Sequence, residues 1–403
     1  MSCTLFTVLG KGDYKKARYT FNHGQAFDTV YFPVALIQQI EGIGKITVLL
    51  TKEAKAQHWE GLKKELTLLG KGHLEIEDVE IPIGKNEQEL WIFFERVCGS
   101  IGDQVVVDIT HGLRHFQILT ILCLSYLHFV TSLNILGVYY AAYDVGVDLI
   151  LNTCVSGDEK IRITPVFELS PFLSLLTWMD GVNAFNRYGD ARVLSGTLDA
   201  IHTERTKNNN INTKMQELGS RLEQLSEALM VSRSDEVIDR LNELSEFMIR
   251  TKGEIQSDLA KWAKPFSLIA DKVIGDYLQI IRAEDKLKQR LLLVEWYLNR
   301  NHIPQAITLL RETMVSKRIF AEYGNLDYEK DFWVRNNAEA WLNQGKLSGT
   351  KIGREWEALT KLRNDIAHCG FRSRPFNAKN IIVKSQDCFK RILKIWEDER
   401  LWK

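Results

Sequence analysis

"VVVDITHGLRH", residues 105–115, passes from an unbroken apolar run through a polar loop into the start of a helical pattern. Three successive valines show no alternation, so the strand they form is buried on both faces, as strands of a parallel sheet are. Sheets of this kind bind ligands at the C-terminal edge of their strands. At that edge Asp108 and Thr110 present oxygens. Gly112 permits a tight turn and close backbone approach. The helix that follows offers free amide groups suited to phosphate, and Arg114, His111 and His115 add cationic or hydrogen-bonding groups. The first strand, "TLFTVL" (4–9), runs into Gly10-Lys11-Gly12-Asp13-Tyr14, a similar loop expected beside it on the same edge. A nucleotide with several phosphates is the natural guest. Other readings of these residues stay open. Asp108, His111 and His115 have the spacing of a metal set but no cysteine or further carboxylate to complete it. Asp108 and Thr110 also suit a helix cap with no ligand. Gly10-x-Gly12 lacks the third glycine of a dinucleotide fingerprint, which argues against NAD.

Working outward, strand and helix patterns alternate up to about residue 165. "ARYTF" and "FDTVYF" flank "NHGQA" as a hairpin. "KITVLLT" (45–51), "LEIEDVEI" (74–81) and "LGVYYAAY" (136–143) read as strands. "EAKAQHWEGLKKELTLL" (53–69) and "NEQELWIFFERVCGS" (86–100) read as helices. The alternation predicts an α/β fold with a doubly wound, Rossmann-like parallel sheet. From about residue 171 strand patterns vanish. "PFLSLLTWMDGVNAFNRYGDARVLSGTLDAI" (171–201) reads as two helices, "ERTKNNNINTK" (204–214) as a polar linker, 215–255 as a helical hairpin, and 287–320 as two further helices. The last helices fall at about 354–368 and 378–399. The expected organisation is an α/β domain over 1–170 and an all-α domain over 171–403.

The chain has 403 residues, 45% hydrophobic and 26% charged, the values of a globular protein. Lys+Arg and Asp+Glu are equal at 52 each, so the whole chain carries no polyanion-binding signature. From Lys351 to Lys403 we count 13 basic and 7 acidic residues, a local excess able to hold a polyanion. Six scattered cysteines without a CxxC fit reduced thiols in the cytoplasm. "MSCTLFTVLGKGDYKK" has no charged region ahead of its apolar run, so no signal peptide is expected. The apolar stretch 116–143 is interrupted by polar residues and by Asn134 and Gly137. It reads as a buried helix followed by a buried strand, not as a membrane span.

A second stretch, "LTKLRNDIAHCGFRSR" (359–374), places Arg363 five positions before His368 near a helix end. With 23 Arg and 9 His, chance alone supplies about half such a match. Arg18 and His23 have the same spacing by accident. Five residues on a helix subtend about 500°, so Arg363 and His368 point roughly 140° apart, whereas Asn364 and His368 share a face. One chain therefore makes a poor site from this pair, and two copies crossing at a dimer axis make a better one. The plain alternative is a surface arginine and a His368-Cys369-Gly370 helix cap.

Taken together, "VVVDITHG", "WMDGVNAFNRYGDA", "WYLNRNHIPQAITLLRE" and "LRNDIAHCG" resemble, in order, segments of CRISPR-associated proteins built from a CARF sensor domain and a HEPN nuclease domain. The segment 204–285 matches that pattern least well and is expected to be a helical insert. The resemblance implies a homodimer, or a higher oligomer of dimers, in type III antiviral defence. It implies a cyclic oligoadenylate activator, with cyclic tetra-adenylate preferred because a four-fold ring matches a two-fold pocket, as a six-membered ring also does. Gly10, Lys11, Gly12, Asp108, Thr110, His111, Gly112 and Arg114 fall in the messenger site, and Arg363, Asn364 and His368 are the nuclease motif. The implied activity is metal-independent endonucleolytic cleavage of single-stranded RNA, leaving a 2′,3′-cyclic phosphate. No cofactor, DNA partner or membrane is expected. Two variants are carried beside it: a messenger sensor without nuclease activity, and one that slowly cuts the messenger itself, with Lys11 and His111 as the residues to test. Arg311 and Glu312 are read either as supports for the nuclease site or as an exposed helix pair.

Overall fold

The computed structural model describes residues 3–403 apart from 23–24, 132, 154–156, 210–212, 268–274, 276 and 372. The chain divides into two compact units, residues 1–176 and 177–403. Among the described residues no helix is long and apolar enough to cross a membrane.

The first unit is built on one nine-stranded sheet. Its strands are β1 (Cys3–Leu9), β2 (Ala17–Thr20), β3 (Ala26–Thr29), β4 (Ile43–Leu50), β5 (Glu75–Glu80), β6 (Gln104–Asp108), β7 (Asn134–Ala141), β8 (Val147–Thr153) and β9 (Gly157–Glu168). The order is β3-β2-β9-β7-β6-β1-β4-β5, with β8 paired to β9. From β5 to β7 every pairing is parallel. The valine run behaves as its composition demands. Val106 packs into the core on one face of the sheet, and Val105 and Val107 into the core on the other. Helices α1 (Phe32–Gln39), α2 (Lys52–Leu68), α3 (Glu87–Ser100) and α4 (Arg114–Thr131) make the connections. The chain steps outward from β1 through β4 to β5, then returns to place β6 on the other side of β1. The winding direction therefore reverses between β1 and β6, which opens a crevice at their C-terminal ends.

Three features depart from the sequence reading. The strand expected to end at Phe32 stops at Thr29, and helix α1 starts at Phe32, with Pro33 in its first turn. Residues 32–37 are all buried, so no helical period shows in the sequence. The β8–β9 hairpin had no expectation: β9 runs antiparallel to β7 and parallel to β2. Helix α4 is not buried all round. Phe116, Thr120, Cys123, Leu124 and Leu127 face the sheet, while Ile118 (64% exposed), Leu122 (58%), Tyr126 (49%), Phe129 (53%) and Val130 (61%) face solvent.

The second unit is all helical: α5 (Ser170–Tyr188, begun in the first unit), α6 (Arg192–Asn209), α7 (Met215–Met230), α8 (Ser234–Arg250), α9 (Lys252–Trp262), α10 (Lys286–Asn299), α11 (Ile303–Tyr323), α12 (Phe332–Leu347), α13 (Lys351–Ala367) and α14 (Ala378–Trp396), with short turns at Lys264–Ser267 and Leu278–Ile281. Helix α6 continues through Asn209, so most of the expected linker 204–214 is helical where it is described. One apolar core joins these helices from Trp178 to Trp402. Arg290, 6% exposed, is held in it between Asp235 at 2.6 Å and Glu329 at 2.7 Å. That pairing is what lets a guanidinium stay charged in an apolar setting.

Candidate functional sites

In the first unit the β1 and β6 loops meet through glycine. A Cβ on Gly10 would lie 3.1 Å from the Cα of Gly112, and Gly112 itself has φ +95°. Any side chain at Gly10 would push the two loops apart, and Gly112 occupies a backbone region that other residues enter only with strain. The glycines thus set how closely the loops approach.

Tyr14 locks the first loop. Its hydroxyl accepts from the Gly10 N–H at 2.8 Å and donates to the Gly10 carbonyl at 2.9 Å. Its ring is stacked on His58 (4.2 Å between centroids) and tilted against His111 (4.3 Å). His58, on α2, reaches the Gly12 carbonyl through Nε2 at 2.8 Å. Burial holds the Tyr14 phenol well above its ordinary range. Burial, with the nearby His58 acting the same way, brings the His111 imidazole down to about 4. His111 is therefore neutral at pH 7 and can exchange hydrogen bonds with a ligand but cannot act as a cation. Its Nε2 is enclosed and, among the described residues, meets no hydrogen-bond partner.

Asp108 does not present its oxygens to a ligand. The side chain is 1% exposed; it accepts a hydrogen bond from the Thr7 hydroxyl at 2.7 Å and one from the Thr110 N–H at 2.8 Å. Burial pushes its carboxyl up to about 6, against the opposing pull of those hydrogen bonds. Asp108 shapes the turn after β6 from below. Thr110 likewise holds the fold: its hydroxyl accepts from the Ala141 N–H at 2.8 Å, which fixes the end of β7 beside the loop.

Above these residues lies a cavity of about 300 Å³ lined by Tyr14, Tyr19, Thr110, His111, Tyr140 and Tyr143, among others. That volume is at the lower end for small-ligand sites, room for one nucleoside but not for a ring of four. Four tyrosines in the lining suit a base or ribose, and Asp13, Lys15 and Asp144 add charged groups beside them. Of the sequence-predicted residues, Thr110 and His111 line this cavity. Gly10 and Gly112 hold the two loops together without lining it, Lys11 and Gly12 stand exposed on the first loop, and Arg114 is exposed at the start of α4. The sequence reading missed the tyrosines, although "GVYYAAYD" concentrates three of them where β7 ends. The His115 side chain instead packs against Gly84, its Nε2 2.6 Å from where a Cβ on that glycine would stand. Among the described residues no group of three or more His, Cys, Asp or Glu is placed to hold a metal ion.

In the second unit Arg363, Asn364 and His368 lie at the end of α13. The helix starts with the Thr350 hydroxyl accepting from the Gly353 N–H at 3.1 Å. It closes with Cys369 N–H bonded to Ile366 O at 3.0 Å and Gly370 N–H to Asp365 O at 3.1 Å. This is a Schellman closure in which Cys369 (φ +51°), and not Gly370, takes the first left-handed position. The capping reading and the site reading coexist. The backbone of 368–370 ends the helix while the His368 side chain stays exposed. Arg363 donates to the Asn364 Oδ1 at 3.1 Å. Asp365, 4% exposed, accepts from the Phe376 N–H at 3.1 Å and ties the loop back to the helix.

Arg311 and Glu312 belong to a wider charged network and are not an isolated surface pair. Arg311 bonds Glu312 and Glu339, each at 2.6 Å, while Arg335 bonds Glu312 from the other side. The Arg311 guanidinium lies 5.2 Å from the ring centroid of Trp356, so this network braces the middle of α13. Trp356, 1% exposed, also donates to Asn343 at 2.9 Å.

Comparison with known proteins bears on the helical unit. Residues 174–305 match the family model described as CRISPR-associated protein MJ1674, second domain. This stretch is similar to that domain. The match runs through 204–285, the segment expected to be an insert, so that segment is part of the matched domain. It ends before Arg363. CRISPR-associated protein MJ1674 of Methanocaldococcus jannaschii is 25% identical over 124 residues, which are 30% of this chain and 18% of that relative's length.

Proposed function

We propose that this protein acts in CRISPR defence as a homodimeric, metal-independent endoribonuclease switched on by a cyclic oligoadenylate. The observation that carries the reading is the tyrosine-lined cavity at the crossover of β1 and β6. It accepts a nucleoside, and it is too small for a whole ring. Two such cavities facing one another across a dimer axis would each take part of a two-fold-symmetric messenger, cyclic tetra-adenylate being the preferred one. The match of 174–305 to a CRISPR-associated domain supports the setting.

The chemistry follows from RNA carrying its own nucleophile. The 2′-OH attacks the neighbouring phosphorus, the bond to the 5′-oxygen breaks, and a 2′,3′-cyclic phosphate remains. His368 moves the proton, to the leaving oxygen or from the attacking hydroxyl. Arg363 grips the phosphate oxygens as charge develops on them. Because these side chains diverge within one helix, the arginine serving each histidine comes from the second copy. DNA, lacking the 2′-OH, is not cut.

The test is cleavage of labelled single-stranded RNA in EDTA, with and without cyclic tetra-adenylate. Cleavage is expected only with the messenger, and Arg363→Ala or His368→Ala should lower it by at least about a hundredfold. Full activity in either variant would sink the assignment.

A further inference from the structure

Helix α13 carries more toward RNA than its terminal motif. Arg354, Lys361 and His368 are spaced seven apart. Seven residues turn a helix through about 700°, so each stands only about 20° from the last, along one face, with about 10.5 Å of rise between them. All three are exposed. This row borders a groove between α13 and α14. The groove's cavity of about 310 Å³ is lined by Arg354, Lys361, Phe376, Lys384 and Arg391, with Glu357 and Asp387 as its carboxylates. Four cations against two carboxylates leave a net positive lining.

The pairing of those charges matters. Glu357 is engaged by Lys361 at 3.0 Å and by Lys346 at 3.8 Å, and Arg391 by Glu355 at 2.8 Å. Among the described residues, neither Arg354 nor Lys384 meets a carboxylate. Lys384 instead sits 5.2 Å from the ring centroid of Phe376. Phe376 is fixed in turn by its N–H bond to Asp365, three residues from His368. Arg354 and Lys384, exposed and without a carboxylate partner beside a half-buried aromatic ring, form the pattern that holds a single-stranded nucleic acid, phosphates on the cations and a base on the ring.

We propose that the α13–α14 groove is the track that delivers the RNA strand to His368. Arg354 and Lys384 take its phosphates, Lys361 joins them by exchanging its exposed, weak pairing with Glu357 for a phosphate, and Phe376 takes a base. The inference rests on the nuclease reading for the identity of the strand, and it deepens that reading. The strand enters on the side of the helix that carries His368, and Arg363, on the far side, is left for the partner's strand.

The experiment measures binding of a fluorescein-labelled single-stranded RNA of about twelve nucleotides by anisotropy. It uses the full-length His368→Ala protein, so that the strand stays intact, over a range of salt. Adding Lys361→Ala with Lys384→Ala should raise Kd about tenfold. It should also flatten the dependence of log Kd on log salt by about 1.4, two contacts at about 0.7 each. Lys384→Glu alone, at an exposed position, should weaken binding as well, and Lys390→Ala, outside the groove, should not. Unchanged affinity and slope in both groove variants would overturn the track. The two readings fail separately. If the wild-type protein cuts RNA and Lys361→Ala/Lys384→Ala binds and cuts equally well, only the track is lost. If the wild-type protein never cuts, but the groove variants bind RNA more weakly, the track stands and the nuclease reading is lost.

Discussion

His111 shows how much one side chain's surroundings decide. Its neighbours Tyr14 and His58 hold it neutral at the bottom of a site proposed for a nucleotide. The imidazole titrates near 4 in the folded protein and near 6.5 when unfolded. A histidine depressed in this way contributes full stability above pH 6.5 and loses it as pH falls toward 4, because the unfolded state binds the proton first. At pH 5 the loss amounts to roughly 2 kcal/mol. Asp108 works in the opposite sense. Its carboxyl is raised to about 6, so its contribution is present below its unfolded pKa and is lost as pH rises through 6. The two trends offset one another in the wild-type protein. They separate on comparing His111→Phe, which keeps an aromatic ring against Tyr14, with wild type at matched pH. Urea unfolding should show the variant gaining about 2 kcal/mol on wild type between pH 7.5 and pH 5. A constant difference across that range would mean that His111 is not held neutral.

At the scale of elements, the backbones of α12 and α13 approach closely where the two helices cross. A Cβ on Gly353 would overlap the backbone of Gly345, so the two helices meet glycine to glycine. Gly353→Ala must push α13 away from α12. With it move Trp356, the bond to Asn343 and the bracing network around Arg311. Overpacking of this kind costs about 3 kcal/mol. The expected outcome is a lower thermal midpoint and a fall in cleavage, whereas Gly253→Ala, whose Cβ meets nothing within 4 Å, should leave both unchanged. Nothing in the sequence distinguishes Gly353 from Gly253, since the difference lies in what crosses each one. The same holds elsewhere. The parallel strands were legible because burial on both faces writes itself as an unbroken apolar run. The helix boundaries at 188–192 and 299–303 were legible from their turn residues. Helix α12 was not, because only Ala338 and Leu342 are buried along it while Phe332 and Trp333 are exposed. In the candidate sensor site the two glycine loops were readable as loops, since they follow apolar strands. The inward turn of Asp108 was not, because a carboxylate at a strand end looks the same whether it faces a ligand or a threonine hydroxyl. The tyrosine lining needed the sheet order, which brings the end of β7 beside β6.

At the scale of the whole molecule, the proposed dimer needs a surface, and the exposed side of α4 is the candidate we favour. After Arg114 the helix has no Asp, Glu, Lys or Arg through Thr131, and its outward side presents Ile118, Leu122, Tyr126, Phe129 and Val130 to solvent. An exposed apolar stripe of that length is the kind of surface that association between copies would bury. The helix begins directly after the loop that lines the nucleoside cavity, so a second copy packed on α4 lies close to the opening where the rest of a cyclic messenger would project. Leu122→Asp together with Tyr126→Asp places two charges on exposed positions. The fold of the monomer should be undisturbed, and its thermal midpoint should stay within a few degrees of wild type. Light scattering should then give a dimer for the wild-type protein and a monomer for the variant at the same concentration. RNA cleavage should fall to the level of His368→Ala whether or not messenger is added, because each histidine has lost the arginine of its partner. A charged α4 variant that still sediments as a dimer and still cuts would show that the copies join elsewhere. A monomer that cuts at full rate would show that Arg363 and His368 work within one chain despite pointing 140° apart.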